Sequence, residues 1–395
     1  MQYKDYRNLW LGSMFWFTGW WVVMVARGWL VLQMTDSAFM VGLVTFSALI
    51  PQLIFSPLAG VIVDRVNRRN LVIAARGVGA LIALFLAVLT GTGMLEVWHI
   101  IVLSFLAGVG RSVDVPGVQS LVPNLVSRED LLNAIALNTL ARNGTQVLGP
   151  LAAGPMIAIL GIQACFYLGA GAYALSTWVT TRVITVPSDP ATLHANLWHN
   201  LREGFQYIPT NPTALFIIVL VSGHCTLTMS TDAILPTFAR DILGGDASTF
   251  SLIVVSLGLG GLGGTLILAS LGNFNGKGLL LLVTTLGSGL TPIFLAGTSW
   301  YLISLVAAFS IGAGTSSYMA VSNTIIQSVI PDRLRGRVMS VYMMLAGGLM
   351  SIGNLVMGAV GSLWGVPLAL ALFGGLWLIF SLAVMLRRPF LMRLS

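Results

Sequence analysis

The chain is 395 residues long, 56% hydrophobic and only 8% charged, with a formal net charge of +7. A soluble domain carries about 25% charged residues, so this composition excludes a water-surrounded globule. The basic residues stand between apolar runs rather than in a patch interleaved with exposed aromatics, which argues against nucleic-acid binding. Cys165 and Cys225 are isolated thiols in apolar segments, without the spacing of a metal site or a disulfide framework.

The predicted class is an all-α membrane protein. Apolar runs of 18 or more residues recur, long enough to cross a hydrocarbon core of about 30 Å. Strands of about ten alternating residues, the mark of a barrel, do not occur. Twelve spans are predicted, at roughly 9–33, 39–63, 70–92, 97–122, 131–160, 163–186, 213–238, 248–271, 278–297, 299–325, 336–362 and 365–388. The polar lead MQYKDYRNLW is short and no small-x-small cleavage site follows, so span one reads as uncleaved.

Span one carries Arg27 and three tryptophans, Trp16, Trp20 and Trp21. Spans two and three are joined by a knot of charge, Asp64, Arg65, Arg68 and Arg69, read as a cytoplasmic turn. Span four holds Arg111 and Asp114, three apart and therefore on one side of a helix. Span five holds Arg142 at a comparable depth, so the three are expected to cluster. Ionisable groups in lipid cost roughly 3 kcal/mol or more unless paired or hydrated, and they mark cavities. Asp114 is thus a candidate proton carrier or one half of a permanent salt bridge. Gly144, Gly149, Pro150, Gly154 and Pro155 let span five approach a neighbour and bend, as a hinge or as ordinary packing.

Residues 187–212 form the longest polar interruption and separate an N-terminal bundle, 1–186, from a C-terminal bundle, 213–395. Within the interruption Leu197, Trp198, Leu201, Phe205 and Ile208 recur at helical spacing, which predicts an amphipathic helix on the inner membrane surface. Span seven brings His224, either a packing residue or a proton site, and Asp232. Span ten offers Tyr318, Ser322 and Asn323, and with Trp20 these are candidate contacts for a substrate. Aromatic rings and flexible Met suit bulky, partly apolar ligands, although lipid-facing packing explains many of them equally.

The halves resemble each other. QSLVP at 119–123 and QSVIP at 327–331 lie 208 residues apart, and the same offset sets DRVNRRN (64–70) over GNFNGKG (272–278). It maps Arg27 to one turn from Asp232, so these two are expected to meet as an outer gate, the alternative being two charges snorkelling separately. It maps Arg111 and Asp114 to Met319 and Ser322, leaving the C-half without their charges. With both termini inside, inner loops and ends hold sixteen of the twenty basic residues, Arg76 among them, and the outer loops hold Arg240 alone. The positive-inside rule therefore places both termini in the cytoplasm, in the plasma (inner) membrane.

The segment G-x-x-x-D-R-x-x-R-R, at Gly60, Asp64, Arg65, Arg68 and Arg69, resembles the loop signature of the major facilitator superfamily. Asn67 stands where that signature has Gly, and Asn tolerates the left-handed backbone. Gly149-Pro150-Leu151-Ala152-Ala153-Gly154 resembles the G-P-x-x-G-G of drug antiporters, with Ala153 replacing one Gly. LVPNLVSREDLLNAIALNTLARNG and IPDRLRGRVMSVYMM resemble the branch of enterobactin exporters and macrolide efflux proteins. The resemblance implies two six-helix bundles working by alternating access, and proton-coupled export of a small amphipathic molecule. It implies that Asp64 latches against the start of span eleven near Gly336, where a helix N-terminus favours a carboxylate by about 0.3–1 kcal/mol. It also implies a proton-transfer role for Arg111 beside Asp114. The expected partners are a small molecule, protons and the bilayer, with the chain a monomer and no cofactor or metal. Uptake of a solute, lipid flipping and a sensory role remain open. An enzyme is not expected, because no nucleophile–base pair or P-loop is present.

Overall fold

In lipid the backbone has no hydrogen-bond partner but itself, so apolar runs fold as helices. The structure, a computed structural model, describes residues 3–184, 197–271 and 276–387, without the side chains of 56–65, 132 and 197–200. All regular structure among the described residues is helical. The elements are α1 (Lys4–Thr35), α2 (Ala38–Arg65), α3 (Arg68–Gly91), α4 (Val97–Leu125), α5 (Leu131–Leu160), α6 (Ile162–Thr180), α7 (Leu197–Tyr207), α8 (Pro212–Leu227), the single turn α9 (Leu235–Thr237), α10 (Ala247–Ser270), α11 (Lys277–Ala296), α12 (Tyr301–Val329), α13 (Asp332–Trp364) and α14 (Val366–Arg387). Among the described residues ten helices are long and apolar enough to cross a membrane, by length and composition. Helices α5 and α6, of 30 and 19 residues, are long enough but diluted by Asn143, Gln146, Gln163 and Tyr167, and fall outside those ten.

The chain forms two compact units, one of residues 1–34 and 47–197, the other of residues 35–46 and 198–395. In the first, α3 packs on α4 and α6. In the second, α11 packs on α12 and α14, the helices that a shift of 208 residues makes their counterparts. The second unit also takes in the first turns of α2, and glycine explains why. A Cβ on Gly42 would lie 2.7 Å from Asn354 O and 3.1 Å from Gly358 Cα, and one on Gly358 would lie 2.8 Å from Ala38 O. Only helices whose backbones touch leave so little room. Nearby, Arg240 Nη2 pairs with Asp36 Oδ1 at 2.5 Å.

Two sequence-based expectations are corrected. Asn67 does not take the left-handed backbone. Its φ and ψ are −61° and 109°, and its side chain accepts from Asn70 N at 3.2 Å, capping α3. Span seven is not one helix over 213–238. It stops at Leu227 and continues as a 3-10 turn (Met229–Ala233), α9 and a π turn (Phe238–Ile242). Pro236 removes an amide and clashes with the carbonyl one turn back. The Ser230 hydroxyl donates to Cys225 O and Thr226 O, competing with the helical ladder. The freed amide of Ala233 donates to Asn354 Oδ1 at 3.1 Å, from a fully buried Asn354.

An α-helix covers Leu197–Tyr207, within the polar interruption. Its buried side, Leu201, Gly204 and Ile208, docks on the start of α13: a Cβ on Gly204 would sit 2.9 Å from Arg337 O. Arg337 Nη1 donates to Glu203 Oε2, and Arg333 Nη2 approaches Glu203 Oε1 at 4.0 Å. Phe205 is exposed. Partly exposed ion pairs contribute little, so Glu203→Gln should cost no more than about 1 kcal/mol of global stability. It should nonetheless speed hydrogen exchange of the α7 amides several-fold, read by mass spectrometry; unchanged exchange would show that the apolar side alone holds the helix.

Candidate functional site

The charges inside the first unit define its chemistry. Arg76, counted above among inner-side charges, is instead in the third turn of α3 and 0% exposed. Its Nε donates to Asp114 Oδ1 at 2.7 Å, Nη1 to Thr180 Oγ1 at 2.8 Å and Nη2 to Ser13 Oγ at 3.1 Å. One guanidinium thus ties together α1, α3, α4 and α6. Gly12 makes the room, since a Cβ there would lie 2.8 Å from Arg76 Nη1. Sequence reasoning missed Arg76 although it falls inside predicted span three; that depth was the available signal.

Asp114 is therefore in a buried ion pair, with Arg76 rather than with Arg111 three residues away. Residues three apart are offset by about 60° around a helix. Asp114 turns to α3, while the Arg111 guanidinium lies 4.0 Å over the ring of Trp20 on α1. Arg111 remains within electrostatic range of Asp114, Arg142, Arg27 and Tyr173. Arg142 is exposed on α5. Arg27 is 5% exposed, and its Nη1 donates to Ser104 Oγ at 3.1 Å. A pocket lined by Trp16, Trp20, Met24, Arg27, Ser104 and Tyr173 reaches this cluster.

In the second unit, His224 pairs with Thr228 Oγ1 at 2.6 Å through Nδ1. Its ring centroid is 4.1 Å from that of Tyr318 and 5.3 Å from that of Trp377. Trp377 Nε1 donates to Thr285 O and Ser288 Oγ. His224 is the counterpart, 208 residues on, of Trp16, which packs on Tyr173 at 4.7 Å. Tyr318 and Ser322 are fully buried, and Asn323 accepts from Gln327 Nε2. Among the described residues of the second unit, no Asp, Glu, Lys or Arg is fully buried. Asp232 is half-buried in the 3-10 turn of the second unit, whereas Arg27 belongs to the first.

Of the predicted latch, Gly60, Asp64 and Arg65 lie among residues whose side chains are outside those described. Arg68 Nη1 donates to Ser120 O at 3.4 Å and Arg69 Nη2 to Thr181 O. A Cβ on Gly336, in the second turn of α13, would meet nothing within 4 Å. Helix α5 runs unbroken through Pro150 and Pro155. Gly149 is a close contact, its Cβ position 2.5 Å from Trp21 Cβ; Gly144 faces open space and Gly154 is buried. Among the described residues no group of His, Cys, Asp and Glu could hold a metal.

Repeated helical packing, a span broken part-way and buried charges are features of membrane transporters. The transmembrane secretion effectors, a family of the major facilitator superfamily, match this sequence over residues 1–392, and the chain belongs to that family. It is a multi-pass membrane transporter and not an enzyme. It is similar to macrolide efflux protein A of Streptococcus pyogenes, 22% identical over 81% of this chain and 79% of that one. It is also similar to the staphyloferrin A transporter of Staphylococcus aureus, 24% identical over 91% and 90% of the two chains. Its fold is that of the nucleoside transporter NupG, with a TM-score of 0.76 at 14% identity, covering 98% of both chains.

Proposed function

We propose that the protein is a secondary active exporter, moving a small amphipathic molecule out of the cell in exchange for protons by alternating access between two six-span bundles. The twelve spans would be the ten helices above with α5 and α6, and both termini would lie in the cytoplasm. Relatives named for macrolide efflux support the outward direction. The observation that carries proton coupling is Asp114, the only carboxylate buried among the described residues, held by an arginine of α3 that also bonds α1 and α6. Protonating it would cancel the charge that positions Arg76, linking proton binding to helix packing. In this reading Asp64 with Arg65, Arg68, Arg69, Gly60 and Gly336 serves as cytoplasmic latch, Arg27 and Asp232 as outer gate, and Gly144, Gly149, Pro150 and Gly154 as hinge.

The test uses purified protein in liposomes with an imposed pH gradient. Wild type should accumulate ligand against its gradient, and a protonophore should abolish the accumulation. In the neutral pair variant Arg76→Gln/Asp114→Asn, exchange of labelled for unlabelled ligand should persist while pH-driven accumulation falls to background. Accumulation that survives in that variant removes Asp114 from coupling.

A further inference from the structure

Away from helix ends, the described part of the first unit carries four arginines, Arg27, Arg76, Arg111 and Arg142, against a single carboxylate, Asp114. Arg76 takes that carboxylate. None of the other three has a carboxylate partner among the described residues. Two of them meet at Trp20, since Arg111 lies 4.0 Å over its ring and Arg27 lines the same pocket as that ring, and Arg111 is also within electrostatic range of Arg142. Arg111 is repelled by both neighbours, and the buried Arg27 has lost hydration, while Arg142 stands exposed on α5.

Their present partners are neutral. Arg27 donates to a hydroxyl, Ser104 Oγ, and Arg111 rests on the face of Trp20. A hydroxyl and a ring hold a guanidinium in place without cancelling its charge. Such a cluster is stabilised when something negative enters. Guanidinium groups present a fork of donors that fits carboxylate or phenolate oxygens. The walls beside them are apolar and aromatic: Trp16, Trp20, Met24 and Tyr173 line the same pocket as Arg27.

We propose that Arg27, Arg111 and Arg142, with the ring of Trp20, form the first unit's binding surface for an anion, and that the exported molecule bears carboxylate or phenolate groups on an aromatic or apolar body. Arg111 leaves or shares its place on Trp20, and the ligand's flat body takes up the ring face. The inference rests on the exporter reading for its ligand, and it opposes a cationic drug as the natural cargo, because three arginines without an ion pair among the described residues repel cations.

Equilibrium binding to purified full-length protein tests it without any gradient. Fluorescence anisotropy compares two dyes sharing a xanthene body, anionic 5-carboxyfluorescein and cationic rhodamine 123; 2,3-dihydroxybenzoate and citrate compete as anions of other shapes. At low salt the anionic dye should bind at least about tenfold more tightly, and added salt should erode the preference. Arg27→Gln, Arg111→Gln and Arg142→Gln should each weaken anion binding by about tenfold, whereas Arg111→Lys, keeping the charge, should weaken it less. Equal or reversed preference in wild type, no competition by either small anion, or a preference that survives all three neutral variants overturns the proposal. If a neutral variant does not fold, the wild-type preference and its salt dependence decide. Cation binding with pH-driven cation export would sink the anion site and leave the exporter standing; anion binding without any pH-driven movement would do the reverse.

Discussion

Asp114→Asn should destabilise the protein by about 3 kcal/mol or more, and adding Arg76→Gln to it should restore stability to within about 1 kcal/mol of wild type. The pair is nearly inaccessible, with side chains 0% and 2% exposed and 2.7 Å between Nε and Oδ1. Breaking a buried pair from one side costs more than the pair itself contributes, because a charge stays behind without compensation. The two single variants should differ. Arginine does not lose its proton in a protein, whereas an orphaned carboxyl can gain one, so Arg76→Gln alone should cost less than Asp114→Asn alone. The double variant recovers because the remaining partners have other bonds. Ser13 Oγ already donates to Leu9 O, and Thr180 Oγ1 to Ser176 O. Thermal unfolding in detergent measures all four proteins. Additive losses in the double variant would show that Arg76 and Asp114 act separately.

That pair marks the limit of what the sequence reveals. Helices are legible because lipid forces the backbone to bond to itself, and α10, at Ala247–Ser270, lies within one residue of its predicted bounds at either end. Depth is less legible. The positive-inside argument assigns a charge to the nearer surface, so it moved Arg76 out to a loop although α3 begins at Arg68 and buries it. The spacing of Arg111 and Asp114 speaks only of their own helix, and the residue that bonds Asp114 is 38 positions away on another. In span seven Pro236 was visible, but Asn354, which satisfies the break from 121 residues away, was not. Asn67 was read by the residue type it replaces, when its side chain does a different task, capping α3. The loss of the Arg111 and Asp114 charges in span ten is legible, since the repeat sets Met319 and Ser322 where they stand, and Tyr318 beside them packs on His224 and Trp377.

Gly312→Ala should cost about 3 kcal/mol or more and sharply lower the yield of folded protein, whereas Gly287→Ala should be neutral or stabilising. Composition treats these among 44 equivalent glycines; packing separates them. A Cβ on Gly312 would lie 2.0 Å from Leu257 O, and one on Gly260 would lie 1.8 Å from Phe309 O. The clash is with backbone in both directions, so no side chain can turn aside, and α10 and α12 must move apart. Their seam continues through Gly264, whose Cβ would be 2.6 Å from Ala313 O, so separation forfeits contacts along much of the crossing. The gain in helix propensity from Gly to Ala, about 1 kcal/mol, does not offset this. Gly287 meets nothing within 4 Å, so there only the propensity gain remains. Gly260→Ala and Gly312→Ala together should cost less than their sum, because the first already parts the helices. Helix α12 carries Tyr318 and Ser322 into the core, so a variant that survives should also show a changed near-ultraviolet spectrum from the His224–Tyr318–Trp377 cluster. Equal melting temperatures for Gly312→Ala and Gly287→Ala would mean that the two helices do not touch as described.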